Sequence, residues 1–288
     1  MDRLTARQTL IARMGVPMKQ GIVRAGTIQT SYLEAGDGPD LLLIHGAGGG
    51  AVNWYEVIGP LSARFRIIAP DVVGFGESDK PSAPYDRPFF AAWLRDFVDA
   101  IGVQDVCLVG SSQGGAISLQ FAHDYPNRVK KLVLLNAGAT GNWDAKSGVS
   151  EFLILMLQHT LPTQAMTRHS RRYMVYDLST FDETLADYFF GVLRMPGAKN
   201  WFWEGRGTAV AAMPKEELAQ VTTETLLLWG ENDSLFPLAN AQAALPVMPN
   251  AKLQTFSKCG HLPYLDKPRE LVEALFEFFH KWSSGGNS

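Results

Sequence analysis

Short runs of aliphatic and β-branched residues alternate along the chain with stretches whose apolar positions return every three or four residues. The runs occupy residues 28–33, 41–44, 66–69, 106–109, 131–135, 225–229 and 253–256, and this alternation predicts an α/β fold with a mostly parallel sheet covered by helices. Leu41-Leu42-Leu43-Ile44, Leu132-Val133-Leu134-Leu135 and Leu226-Leu227-Leu228-Trp229 are apolar without interruption, as strands buried on both faces must be. Around Ile22 and Ile28 the pattern is more polar and predicts an antiparallel edge hairpin.

Phe90, Leu94, Phe97, Val98 and Ile101 trace one helical face, and Leu271, Leu275, Phe278, Phe279 and Trp282 trace another, with Pro268 suited to its first turn. From 140 to 215 the strand rhythm stops. That segment predicts several short helices and holds 11 of the 31 aromatic residues, Trp143, Phe152, Tyr188, Phe189 and Trp201 among them. Such a segment builds a second small core or roofs an apolar pocket. The chain therefore divides into a core of 1–139 and 216–288 and an insertion of 140–215.

Composition narrows the function classes. The net charge of −3, from 29 acidic and 26 basic residues, supplies no electrostatic footprint for nucleic acid or an anionic membrane. Hydrophobic residues at 46% and charged residues at 19% are those of a globular chain with a large core. No apolar run approaches the roughly 18 residues that span a bilayer, and polar residues interrupt the first eight positions, so the expected location is cytoplasmic. Cys107 and Cys259 read as packing thiols, and 283–288 as a flexible tail. The insertion and an edge strand are the surfaces open to a homo-oligomer.

The chemistry is carried by Gly110-Ser111-Ser112-Gln113-Gly114-Gly115, which follows the run 106–109 and precedes the helical pattern of Ile117, Leu119, Phe121 and Ala122. This is G-x-S-x-G between strand and helix, a sharp turn that lifts one serine above the carboxyl end of a strand. Ser112 is the candidate nucleophile. A serine hydroxyl needs a base held by a carboxylate, and the order Ser, Asp, His is supplied by Asp233 in Gly230-Glu231-Asn232-Asp233 and His261 in Gly260-His261, each after a strand. Glu231 is the rival acid, and Asp233 has the better spacing from its strand. His45, His123, His159, His169 and His280 read as structural or solvated. The backbone amide of Gln113, at the positive end of a helix, forms one half of an oxyanion hole. The glycine-rich loop His45-Gly46-Ala47-Gly48-Gly49-Gly50 supplies the other half, from Ala47 in preference to Gly48. That loop lacks the spacing and the lysine of a phosphate-binding loop.

With these residues in place, the chain resembles the α/β-hydrolase superfamily over nearly its whole length, through Leu43 to Gly48, Pro70-Asp71-Val72-Val73-Gly74-Phe75-Gly76-Glu77-Ser78-Asp79-Lys80-Pro81, Gly110 to Gly115, Gly230 to Asp233 and Gly260-His261. The resemblance implies an eight-stranded, mostly parallel sheet and a helical cap formed by 140–215. It also implies a serine hydrolase that acts on a carboxylic ester or related acyl substrate with an apolar portion through an acyl-enzyme, with no metal or organic cofactor. Serine at 112 sets it apart from dehalogenases and epoxide hydrolases of this fold, whose nucleophile is aspartate. The His45–Gly50 loop and Cys259-Gly260-His261 also look like the hydrolases that cleave carbon-carbon bonds in aromatic ring-fission products. Those enzymes usually carry Asn before the nucleophile and Trp after the histidine, where this chain has Ser111 and Leu262. They also use a cap arginine toward the substrate carboxylate; Arg194 is one candidate, Arg168, Arg171, Arg172 and Arg206 are equally visible, and the expected role of each is a solvated surface arginine. A ligand receptor on the same fold is the reading from a different class.

Overall fold

The computed structural model describes residues 1–141, 157–158 and 160–283. Trp143, Phe152, His159 and the tail beyond 283 lie outside the described residues, as does much of the first half of the insertion. The chain runs α1 (Arg3–Arg13), β1 (Lys19–Ala25), β2 (Ile28–Ala35), β3 (Asp40–Ile44), α2 (Ile58–Ser62), β4 (Arg66–Pro70), α3 (Arg87–Ala100), β5 (Val106–Ser111), α4 (Gln113–Asp124) and β6 (Val129–Leu135). The described helices of the insertion are α5 (Gln164–Met174), α6 (Glu183–Leu193), α7 (Asn200–Gly205) and α8 (Lys215–Leu218). They are followed by β7 (Glu224–Gly230), α9 (Leu238–Ala244), β8 (Ala251–Phe256), α10 (Pro263–Asp266) and α11 (Pro268–Ser283).

The eight strands form one sheet in the order β1-β2-β4-β3-β5-β6-β7-β8. The expected edge hairpin is present, with Ile22 opposite Ser31, and β2 also pairs antiparallel with β4. The remaining neighbours are parallel, which brings the carboxyl ends of β3, β5, β6, β7 and β8 to one side of the sheet. On an open parallel sheet that side is where ligands bind.

The uninterrupted apolar strands divide residue by residue between two cores. Leu41, Leu43, Cys107, Val109, Val133 and Leu135 face a core shared with α1 and α11, whereas Leu42, Ile44, Leu108, Leu132 and Leu134 face one shared with α3 and α4. Successive side chains of a strand point to opposite faces, so a strand covered on both sides needs apolar residues at every position. Cys107 and Cys259 are free and buried, and burial pushes the Cys107 thiol up to about 12.

Helix α1 was not apparent from the hydrophobic pattern, because only Ala6, Leu10 and Ile11 of its apolar side chains turn inward. Asp2 caps it by accepting from the Thr5 N–H at 3.0 Å, and the helix packs along α6. Similar caps start α3, where Asp86 accepts from Phe89 N–H, and α6, where Asp182 accepts from Leu185 N–H, both at 2.9 Å. The aromatics of the insertion split between the two expected roles. Phe181 and Tyr188 are buried against Phe189, which together with Trp201 and Phe202 also lines a cleft over the sheet. Among the described residues no helix is long and apolar enough to cross a membrane.

Candidate active site

Ser112 stands between β5 and α4 with φ 56° and ψ −119°, a backbone conformation that residues other than glycine avoid. The turn is held from several directions. The Ser112 N–H donates to Leu135 O at 3.0 Å, and its carbonyl accepts from the N–H groups of Gly115, Ala116 and Gly138 at 3.0, 3.2 and 2.9 Å. The glycines of the motif answer a demand for space: a Cβ on Gly114 would lie 2.1 Å from the Ile44 carbonyl oxygen. The strand-to-helix turn can close against β3 only without that atom.

His261 follows β8 and Asp233 follows β7, as the sequence predicts. Their side chains meet with Nδ1 of His261 2.8 Å from Oδ2 of Asp233, and both are buried. An ionised carboxylate only accepts, so the His261 Nδ1 carries the proton and the Nε2 lone pair is left to act as a base. Asp233 is fixed by other partners. Its Oδ1 accepts from the N–H groups of Leu235 and Phe236 at 2.8 and 3.0 Å, and its Oδ2 accepts from Asn136 Nδ2 at 2.6 Å. The histidine loop is anchored as well, since Asp266 accepts from the N–H groups of Gly260, Tyr176 and Asp177, tying the loop to the insertion.

Asn136 is the residue that sequence reasoning missed. It is fully buried after β6 with φ 43°, and its side chain bridges Asp233 to the Gly230 N–H, which it accepts at 3.2 Å. The available signal was an asparagine directly after a strand, a type that tolerates the left-handed region.

Ser112, His261, Ala47 and Gln113 all line one cleft, of about 880 Å³ including its open mouth. Gly46 lies against the serine, where an added Cβ would be 2.9 Å from Ser112 Cβ and 3.3 Å from Oγ. The Gln113 N–H is the first of α4 and has no intrahelical acceptor. The rest of the wall is mainly apolar, from Met174, Phe189, Trp201, Phe202, Val210, Leu235, Phe236 and Leu262, with the Asn53 amide and the Tyr264 hydroxyl as neutral polar groups. Among the described lining residues there is no lysine, arginine or carboxylate.

The other candidates separate from this site. Glu231 is exposed and accepts from Thr255 Oγ1 at 2.8 Å, so it does not hold the histidine. His123 contacts Asp124 on α4, and His169 packs on Tyr173 of α5. His45 is buried: its Nε2 accepts from Val72 N–H at 2.9 Å, which assigns the proton to Nδ1, 2.7 Å from Gly46 O. Arg194 is exposed, as expected of a solvated arginine, and is not among the described residues that line the cleft. It caps the end of α6, lies over the Phe190 ring at 5.2 Å and lines a separate surface depression with Leu161, Pro162 and Lys199.

Residues 39–165 match the model of the alpha/beta hydrolase fold family. The 2-hydroxy-6-oxo-2,4-heptadienoate hydrolase of Pseudomonas putida is 31% identical over 268 residues, which span 89% of this chain and 95% of that protein. The 2-hydroxy-6-oxo-6-phenylhexa-2,4-dienoate hydrolase of a Rhodococcus species superposes with a TM-score of 0.83 at 25% identity, covering 92% of this chain and 99% of its own. A bacterial membrane phospholipase A superposes equally well, with a TM-score of 0.83 at 26% identity over 98% of this chain and 91% of its own. The chain belongs to the α/β-hydrolase family. It is a hydrolase built on that fold.

Proposed function

We propose that this hydrolase cleaves a carboxylic ester or related acyl substrate whose acyl or alcohol portion is apolar and uncharged. The observation that carries the reading is the cleft itself: Ser112 and a His261 relayed to Asp233 at 2.8 Å open into an apolar space with no charged side chain among its described lining residues. The Ser112 Oγ attacks the ester carbonyl carbon as its proton passes to His261 Nε2, and the amides of Gln113 and Ala47 hold the resulting oxyanion. Collapse breaks the bond to the alcohol, which leaves with the proton from His261. Water, deprotonated by the same nitrogen, then releases the acid from Ser112. Asp233 keeps the imidazole in the required tautomer and stabilises its charged form. The insertion of 140–215 acts as a cap, with Phe189, Trp201 and Phe202 contributing the apolar roof.

The likeness to two dienoate hydrolases favours a second reading, carbon-carbon hydrolysis of a ring-fission product by the same residues. Such a substrate carries a carboxylate, and neutral groups such as Asn53 would have to receive it in place of Arg194.

Turnover of a p-nitrophenyl ester series and of a ring-fission dienoate, by wild type and Ser112→Ala, tests both readings. Cleavage of esters that varies with chain length and falls on the order of 10⁴-fold in Ser112→Ala is the expected result. A dienoate kcat/KM well above that of every ester would establish the second reading. Full activity in Ser112→Ala, or a wild type inert toward both substrates, would overturn both readings.

A further inference from the structure

The glycine-rich loop that carries Ala47 is slung from the two residues that follow β4. At its start, His45 Nε2 accepts from the Val72 N–H at 2.9 Å; at its end, Asp71 Oδ1 accepts from the Ala51 N–H at 2.7 Å. Asp71 is completely buried, and its Oδ2 accepts from the Glu77 N–H at 3.1 Å. A carboxylate taken out of water needs a counter-charge. It comes from α1: Arg7, only 4% exposed, places Nη2 3.8 Å from Asp71 Oδ2 while its Nη1 donates to Gln20 Oε1 of β1 at 2.7 Å. The adjoining backbone leaves little slack. A Cβ on Gly50 would lie 2.0 Å from the Tyr188 hydroxyl and 2.7 Å from Asp71 Oδ1.

We propose that Arg7 is a positioning residue for the oxyanion-hole loop, acting through Asp71. The inference rests on the serine-hydrolase reading above, in which the Ala47 amide stabilises an oxyanion. Arg7 touches no substrate. It holds the Asp71 carboxylate in place, Asp71 holds the Ala51 N–H, and the loop between His45 and Ala51 is thereby fixed at both ends. An oxyanion donor interacts far more strongly with the transition state than with the bound substrate, so a displaced loop lowers kcat and leaves KM nearly unchanged. A role confined to folding would instead lower the amount of competent enzyme.

The test uses the full chain with Arg7→Met, Asp71→Asn, the double variant and Arg7→Lys. For each, kcat and KM on a p-nitrophenyl ester are expressed per Ser112 site counted by a fluorophosphonate. Arg7→Met is expected to lower kcat at least about tenfold, roughly one order out of the 10² to 10³ that a lost oxyanion donor costs, with KM within about twofold. Arg7→Lys should restore part of that loss. The double variant, which leaves no lone buried charge, should be no slower than the slower single variant. An Arg7→Met kcat within about twofold of wild type, a parallel rise in KM, or losses that multiply in the double variant would overturn the inference. Should Arg7→Met fail to fold, the comparison of Asp71→Asn with the double variant decides alone: equal rates support the coupling and a further tenfold loss ends it. A wild type that neither reacts with the phosphonate nor cleaves an ester overturns the serine-hydrolase reading itself, whereas an active wild type with an equally active Arg7→Met overturns only the role of Arg7.

Discussion

Asp233 Oδ2 stands 2.8 Å from His261 Nδ1, while its Oδ1 is taken by the N–H groups of Leu235 and Phe236. The carboxylate is thus oriented by backbone on one side and presents its other oxygen to the imidazole. Asp233→Asn keeps the shape but offers an N–H where an acceptor is needed, which favours the unproductive histidine tautomer. Ester turnover should fall by about 10⁴-fold at neutral pH with the fold intact, measured as kcat beside circular dichroism. A loss under tenfold would remove Asp233 from the triad.

Asn136 donates to that same Oδ2 at 2.6 Å and accepts the Gly230 N–H at 3.2 Å. Asn136→Leu leaves both groups buried without this partner. Unfolding in urea should show a loss of about 1–3 kcal/mol, and kcat should drop about tenfold, the equivalent of roughly 1.4 kcal/mol in the transition state. Unchanged stability and kcat would show that the contact carries nothing.

Gly46→Ala places a methyl group 2.9 Å from Ser112 Cβ and 3.3 Å from its Oγ. The Ser112 side chain or the loop must move, and a displacement near 1 Å of a reacting group costs on the order of 10²-fold in rate. Single-turnover acylation kinetics should report that loss with little change in melting temperature; wild-type acylation would contradict the placement.

Burial holds the His45 imidazole below its usual pKa, against the opposing pull of Asp71. The unfolded chain binds a proton near pH 6.5 that the folded chain refuses, so this residue's stabilising contribution is complete above about 6.5 and is lost as the pH falls below it. Urea unfolding between about pH 7.5 and 5 should show a decline with a slope of up to ~1.4 kcal/mol per pH unit from this group, reduced in His45→Gln. Equal slopes in the two proteins would rule out a neutral His45.

Met174 lines the cleft, and its carbonyl accepts from the Leu262 N–H at 3.0 Å, a bond that survives truncation of the side chain. Met174→Ala should move the preferred acyl chain to greater length, with kcat/KM for a longer ester rising relative to a short one by roughly tenfold. An unaltered chain-length profile would place the acyl group elsewhere in the cleft.

The strand-turn-helix around Ser112 was legible because its requirements are local: two glycines, a strand before and a helix after. Asp233 and His261 were legible from their order and from the strands they follow. Asn136 and Arg7 were not, since each acts by touching residues 97 and 64 positions away, Asp233 and Asp71 respectively. Helix α1 escaped for a related reason: its weak apolar face is completed by packing on α6.

By itself, the order of apolar runs and glycines determined the α/β architecture and the hydrolase class and singled out Ser112, Asp233 and His261 as the candidate site, because backbone geometry and burial on both faces of a sheet impose those patterns on neighbouring residues. Only the tertiary structure decided that Arg194 lies outside the cleft, that neutral groups line it, and that a buried arginine stands behind the loop beside the serine. Those are relations between side chains brought together by packing, and the direction in which a helix end turns is set by what it packs against.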